Sequence, residues 1–120
     1  MANYHKQGEI YYANINQSSS PNIQKGIRPV IIIQNNVGNK FSPTVTVIPL
    51  TSKKKSMHMP THVLIEVDES NELQCSSVAL GEQMTTIPVS CLKNKIGKLK
   101  DDDLKKTWNA AINQISLSSS

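Results

Sequence analysis

At 120 residues the chain can build one domain with a real core but not two of ordinary size. Its composition, 38% hydrophobic and 18% charged, suits a soluble folded protein, and its longest apolar run, residues 30–33, excludes a membrane helix, which takes roughly 18 apolar residues. Thirteen basic residues against nine acidic ones leave a net charge of +4 and a pI near 9.1, a balance that favours a polyanionic partner.

The first ten residues hold no apolar export core behind a basic start, so a cytoplasmic location is expected. Cys75 and Cys91 are too few to staple a chain of this length and read as reduced thiols.

Residues 8–15, "GEIYYANI", open as a strand of aromatic and β-branched formers, and "NQSSSPNIQKG" after them is a polar loop longer than a hairpin needs. A second strand, "RPVIIIQ", follows. Pro29 cannot donate to a ladder, so it belongs at the strand's start or on an edge, which places Arg28 at the rim of the sheet. "NNVGNKFSP" reads as a turn. Residues 44–51, "TVTVIPLT", alternate as a half-buried strand does, with Pro49 implying an edge or a bulge near the end. "SKKKSMHMP" is a basic loop, "THVLIEV" alternates again, and "DESNE" turns the chain. "SSVALGEQMTTI" reads as one strand, or as two bent at Gly81. Six short strands in about 80 residues imply a small barrel or a strongly coiled sheet. From 101 to 117 the period changes: Leu104, Trp108, Ala111, Ile112 and Ile115 fall at steps of three and four behind an acidic first turn. That predicts an amphipathic helix packed on the barrel, with Trp108 as its core anchor.

Few residues offer chemistry. His58 and His62 are parted by Pro60, so they share no helical face, and His5 sits in an N-terminus expected to be loose along residues 1–7, as are residues 118–120; no metal site is expected. Neither a phosphate-cradling glycine loop nor a serine nucleophile elbow occurs. The lysines at 53–55 are by themselves a solvated loop. They follow Thr51 directly, however, and that strand can neighbour the one begun by Arg28. A guanidinium, a hydroxyl and a basic loop at one rim would make a phosphate site.

In order along the chain, "GEIYYANI", a loop, "GIRPVIIIQNNVGNKFSPTVTVIPLT", "PTHVLIEV", "SSVALGEQMTTI" and "KIGKL" before a terminal helix closely resemble the MazF/PemK toxins, the ribonuclease halves of toxin–antitoxin pairs. The resemblance implies a mainly β, SH3-like barrel of six to seven strands with a C-terminal amphipathic helix. It also implies a homodimer that cuts single-stranded RNA at short sequences without metal or cofactor, neutralised by an acidic MazE-like antitoxin. By motif, the catalytic arginine is Arg28 and the catalytic threonine Thr51, while Ser77, Glu82 and Gln83 stand where the family contacts RNA. Two positions depart from the common pattern, Ile23 in place of a glutamate and Thr85 in place of a basic residue, and both bear on which sequence is cut.

The chemistry implied is attack of a 2′-hydroxyl on the adjacent phosphorus, leaving a 2′,3′-cyclic phosphate and a 5′-hydroxyl. A guanidinium matches the charge and the paired oxygens of the phosphorane, and a preorganised hydroxyl adds a second donor. Glu82 and His62 are candidate bases. Stacking platforms are scarce, so Gln83, Asn22 and Gln24 are the expected base readers, with Lys53 on the backbone. Two rival classes remain open at this level: a gyrase-binding toxin like CcdB, and a nucleic-acid-binding barrel without catalysis. The CcdB-like class ends in a Trp near a terminal Gly-Ile, whereas here "ISLSSS" ends the chain and Trp108 lies well before it.

Overall fold

The structure, a computed structural model, describes residues 4–15, 26–52 and 59–118. Seven antiparallel strands form one coiled sheet: β1 (Glu9–Ile15), β2 (Gly26–Ile32), β3 (Thr44–Thr51), β4 (His62–Ile65), β5 (Ser77–Leu80), β6 (Thr85–Pro88) and β7 (Leu92–Lys98). Their order is β4-β5-β3-β2-β1-β7, with β6 also paired to β3. The mainly β fold with a terminal helix is thus as the sequence implies. "SSVALGEQMTTI" is indeed two strands, parted by a 3-10 turn at Gly81–Gln83. The expected turn after β2 contains a short helix, α1 (Asn36–Phe41), whose first turn is capped by the Asn35 side chain accepting from the Gly38 amide at 3.0 Å. Strand β7 carries no periodic signal, because in "LKNKIGK" most side chains face solvent and pairing with β1 makes the strand.

Both faces of the sheet are apolar. Ile10, Ile31, Ile48, Leu50 and Ile65 lie on one, and Ala13, Val30, Ile32, Val45 and Val47 on the other, the alternation expected of strands buried on two sides. Each fully buried Ile or Val contributes about 1.5–3 kcal/mol against exposure.

Strand β3 shows how prolines shape the sheet. One flank pairs with β2; the other pairs with β6 over residues 44–47 and then with β5 over 50–51. The Ile33 amide donates to the Thr46 carbonyl, so even-numbered residues of β3 bond towards β2 and Pro49 faces the opposite flank. Its missing donor falls where neither β6 nor β5 is paired. The edge or bulge expected at Pro49 is this break between two partner strands.

The helix α2 (Asp101–Asn113) stops short of residue 117, and it docks on only part of the expected face: Ala111 joins the core and Leu104 packs against it. Asp103, Thr107, Ala110 and Ala111 are buried, whereas Trp108 is 48% exposed, with Ile112 and Ile115 exposed beside it. The reason is steric. A Cβ on Gly81 would lie 2.8 Å from the Thr61 carbonyl oxygen and 3.2 Å from the backbone of Ala110 and Ala111, so the helix approaches where only small side chains fit. Trp108 is therefore no core anchor. The N-terminus is also better packed than expected: His5 is buried, and the Gln7 side chain donates to the Ile33 carbonyl at 2.9 Å. Burial lowers the His5 pKa, against smaller opposing effects of Glu9 and Asn39.

A turn at 68–73 docks on β7. Asn71, wholly buried, donates to the Glu66 carbonyl at 2.8 Å and accepts from the amides of Asp68 and Leu73. Ser70 hydroxyl donates to the Lys98 carbonyl at 2.6 Å, and the Lys98 amide returns a bond to Ser70 at 3.0 Å. Gly97 makes this approach possible, since a Cβ there would collide with the Asn71 carbonyl and lie 2.7 Å from the Ser70 oxygen. Both obstacles are backbone. Gly97→Ala is expected to cost about 2 kcal/mol, read as a lowered midpoint in denaturant unfolding, and a midpoint equal to wild type would contradict this packing.

Candidate functional site

Pro29 decides where the sheet opens. Odd-numbered residues of β2 bond towards β3, as the Ile33–Thr46 bond shows, so Pro29 would have to donate to Leu50 and cannot. The β2–β3 ladder ends one residue earlier, at Val30–Pro49, while β2 goes on pairing with β1 back to Gly26. Beyond that point β3 pairs with β5 through Leu50–Ala79 and Thr51–Val78. The two strands part like the arms of a fork. Arg28 stands two residues before the last pair and Thr51 two residues after it, so the register sets them at one level and, by alternation, on one face.

At the fork lies a cleft of about 470 Å³. Its apolar floor comes from Pro29, Leu50, Leu73 and Ile96; Tyr12, Ser52, Ser77, Gln74 and Asn94 supply polar groups, and Arg28 and Cys75 also line it. Thr51 is 4% exposed and is flanked by two lining residues, Leu50 and Ser52. The Ser77 hydroxyl donates to the Cys75 carbonyl at 3.1 Å, which fixes the segment entering β5.

Lys95 and Glu72 bring further charge to the lining. The Lys95 ammonium lies 2.8 Å from a Glu9 carboxylate oxygen, and Glu9 also accepts from the Lys6 amide at 2.7 Å and the Tyr11 hydroxyl at 3.3 Å. Burial pushes the Glu9 carboxyl up, but the bonds from Lys95 and Lys6 outweigh it and hold the pKa below its ordinary 4.5. Burial, then the charge of Glu9, raises Tyr11. Glu9 is therefore ionised at neutral pH.

The candidate bases stand elsewhere. Glu82 accepts from the Thr61 hydroxyl at 3.0 Å with one oxygen and meets the His62 Nε2 at 3.0 Å with the other, in a cluster beside the Gly81 turn and α2. Neither Glu82, Gln83 nor His62 lines the cleft that holds Arg28 and Ser77. Gln24 and Lys53, together with Asn22, Ile23 and His58, lie outside the described residues. Among the described residues no three His, Cys, Asp or Glu side chains are grouped to hold a metal ion, and no helix is long and apolar enough to cross a membrane.

A model of the PemK-like, MazF-like toxins of type II toxin–antitoxin systems matches residues 6–115. The chain belongs to this family. An endoribonuclease MazF of Staphylococcus saprophyticus is 41% identical over 105 residues, 88% of this chain and 86% of that one. The solved Mycobacterium tuberculosis toxin MazF-mt6 aligns with a TM-score of 0.72 at 28% identity, covering 92% of this chain and 99% of its own. MazF from Deinococcus radiodurans aligns with a TM-score of 0.78 at 18% identity over 93% and 96%, a likeness of fold.

For a MazF-like toxin, the cleft adds residues that the sequence does not single out: Tyr12, Ser52, Gln74 and Asn94. Tyr12 and Ser52 belong to segments read only as strand or loop, Gln74 lies between a turn and a strand, and Asn94 is on the strand without a periodic signal. The absent donor at Pro29 can be tested on its own. Pro29→Val should add a Leu50-directed bond, protect the new amide from hydrogen exchange and narrow the cleft; an amide that exchanges as freely as a loop's would refute the fork.

Proposed function

We propose that this chain is the toxin of a toxin–antitoxin pair, an endoribonuclease that cuts single-stranded RNA at short sequences without a metal ion. The observation that carries the reading is the position of Arg28 on the open arm of the β2–β3 fork, level with Thr51, in a chain 41% identical to an endoribonuclease MazF. The RNA's 2′-hydroxyl loses its proton and attacks the neighbouring phosphorus, the bond to the 5′-oxygen breaks and that oxygen takes up a proton, and the products are a 2′,3′-cyclic phosphate and a free 5′-hydroxyl. The Arg28 guanidinium binds the non-bridging oxygens, where negative charge grows, and Thr51 donates to the same group or to the departing oxygen. Glu82 and His62 bond each other rather than enter the cleft, so the rate derives chiefly from stabilising the phosphorane. Ser77 meets the RNA within the cleft and Gln83 outside it, and Gln24 and Lys53 are further RNA contacts.

Incubation of wild type and Arg28→Ala with mixed-sequence RNA in EDTA tests this. Wild type should leave cyclic-phosphate ends and the variant should cut about 100- to 1,000-fold more slowly. No cutting, a requirement for magnesium, or an undiminished variant would each defeat the mechanism.

The partners follow from charge and surface. The excess of basic residues suits an acidic MazE-like antitoxin laid over the RNA-binding surface, and the compartment is the cytoplasm, where messenger RNA is met. Trp108 and Ile112 on α2 and Ile115 just beyond it form an exposed apolar stripe, which supports a homodimer closed through that face. Trp108→Glu combined with Ile112→Glu should sediment as a monomer at a concentration where wild type is dimeric. A dimeric double variant would move the interface elsewhere.

A further inference from the structure

We infer, resting on the ribonuclease reading above, that the cleft at the fork is a nucleobase pocket: a base next to the scissile phosphate inserts against Tyr12, Pro29 and Leu50, and the side-chain amides of Gln74 and Asn94 read its edge. The lining selects the ligand class. A phosphate needs converging cations, which here amount to the guanidinium of Arg28 at the edge; the rest of the lining offers apolar carbon, hydroxyls and amides, the Lys95 ammonium is engaged by Glu9 at 2.8 Å, and Glu72 adds a carboxylate that repels anions. An uncharged planar group with hydrogen-bonding edges fits this chemistry.

Geometry ties the pocket to the reaction. Arg28 lines it, and Pro29, whose missing donor opens it, is the next residue. Arg28 stands at the pocket's edge beside Pro29, and Thr51 lies between two lining residues, Leu50 and Ser52, so a phosphate held at Arg28 leaves its neighbouring base at the pocket. Tyr12, 37% exposed on β1 opposite Pro29, gives a ring for stacking. Gln74 and Asn94 approach from the far wall, and both are exposed.

The wall is preorganised rather than adaptable. Asn71 pins the turn from which residues 72–75 emerge, Ser70 bonds it to Lys98, and Glu72 is held at a φ of 53°, in the left-handed region. Ser77, bonded to the Cys75 carbonyl, fixes the other end. Amides carried on so fixed a frame can discriminate donor and acceptor patterns, because a mismatched base leaves a polar group unpaired.

The experiment sequences the ends left in a mixed RNA pool by wild type, Gln74→Leu, Asn94→Leu and the double variant, with thermal unfolding to show that these exposed substitutions leave the fold intact. The expected result is that base preference at a single position beside the cut falls about tenfold, the scale of one net hydrogen bond, while preference elsewhere and the cyclic-phosphate ends persist. A second readout avoids catalysis. Cys75 lines the pocket, so in a Cys91→Ser background a fully 2′-O-methylated mixed-sequence RNA should slow its labelling by a maleimide. Unchanged preference in the double variant, or Cys75 labelled equally fast with RNA bound, overturns the inference while leaving the ribonuclease reading in place. A wild-type protein that cuts no RNA overturns both.

Discussion

One absent hydrogen-bond donor organises the working end of this molecule. Backbone amides of a sheet must be paired, and a ladder stops where one cannot donate. Pro29 stops the β2–β3 ladder while β2 remains held by β1 on its other side, so the strand neither frays nor swings away. The result is a rigid gap. Arg28 on one arm and Thr51 on the other need no loop to hold them, and the cleft between the arms has walls made of strands. A site on such elements keeps its geometry better than one on mobile connections.

The rest of the sheet supports that gap by switching partners. β3 gives its free flank first to β6 and then to β5, with Pro49 facing the interval between them. The Gly81 turn bridges the interval, and because Gly81 has no side chain, α2 can lie directly against it. Small residues of the helix therefore face inward. Leu104 packs beside them, while Trp108 and Ile112 are left exposed. Close approach at one glycine thus sets both how the helix seats and which surface is available to a partner.

Charge is distributed to match. The single arginine sits at the fork, Lys95 is neutralised by a largely buried Glu9, and Glu82 is used by Thr61 and His62 near the helix. The cleft thus combines one guanidinium with mostly apolar and uncharged polar groups.

By itself the sequence determined the strand-rich fold, the terminal helix, the rim position of Arg28 and the family, because alternation, proline placement and ordered motifs are local signals. It left unread β7, the seat of Trp108, the diversion of Glu82 and His62 away from the cleft, and the union of Tyr12, Gln74 and Asn94 in one pocket. Those were decided by tertiary structure, since each depends on contacts between segments far apart in the chain: a β7 held by β1, a helix admitted by Gly81, a turn pinned by Asn71. Periodicity reports which face of an element can be buried; only the fully packed chain decides which one is, and what it meets there.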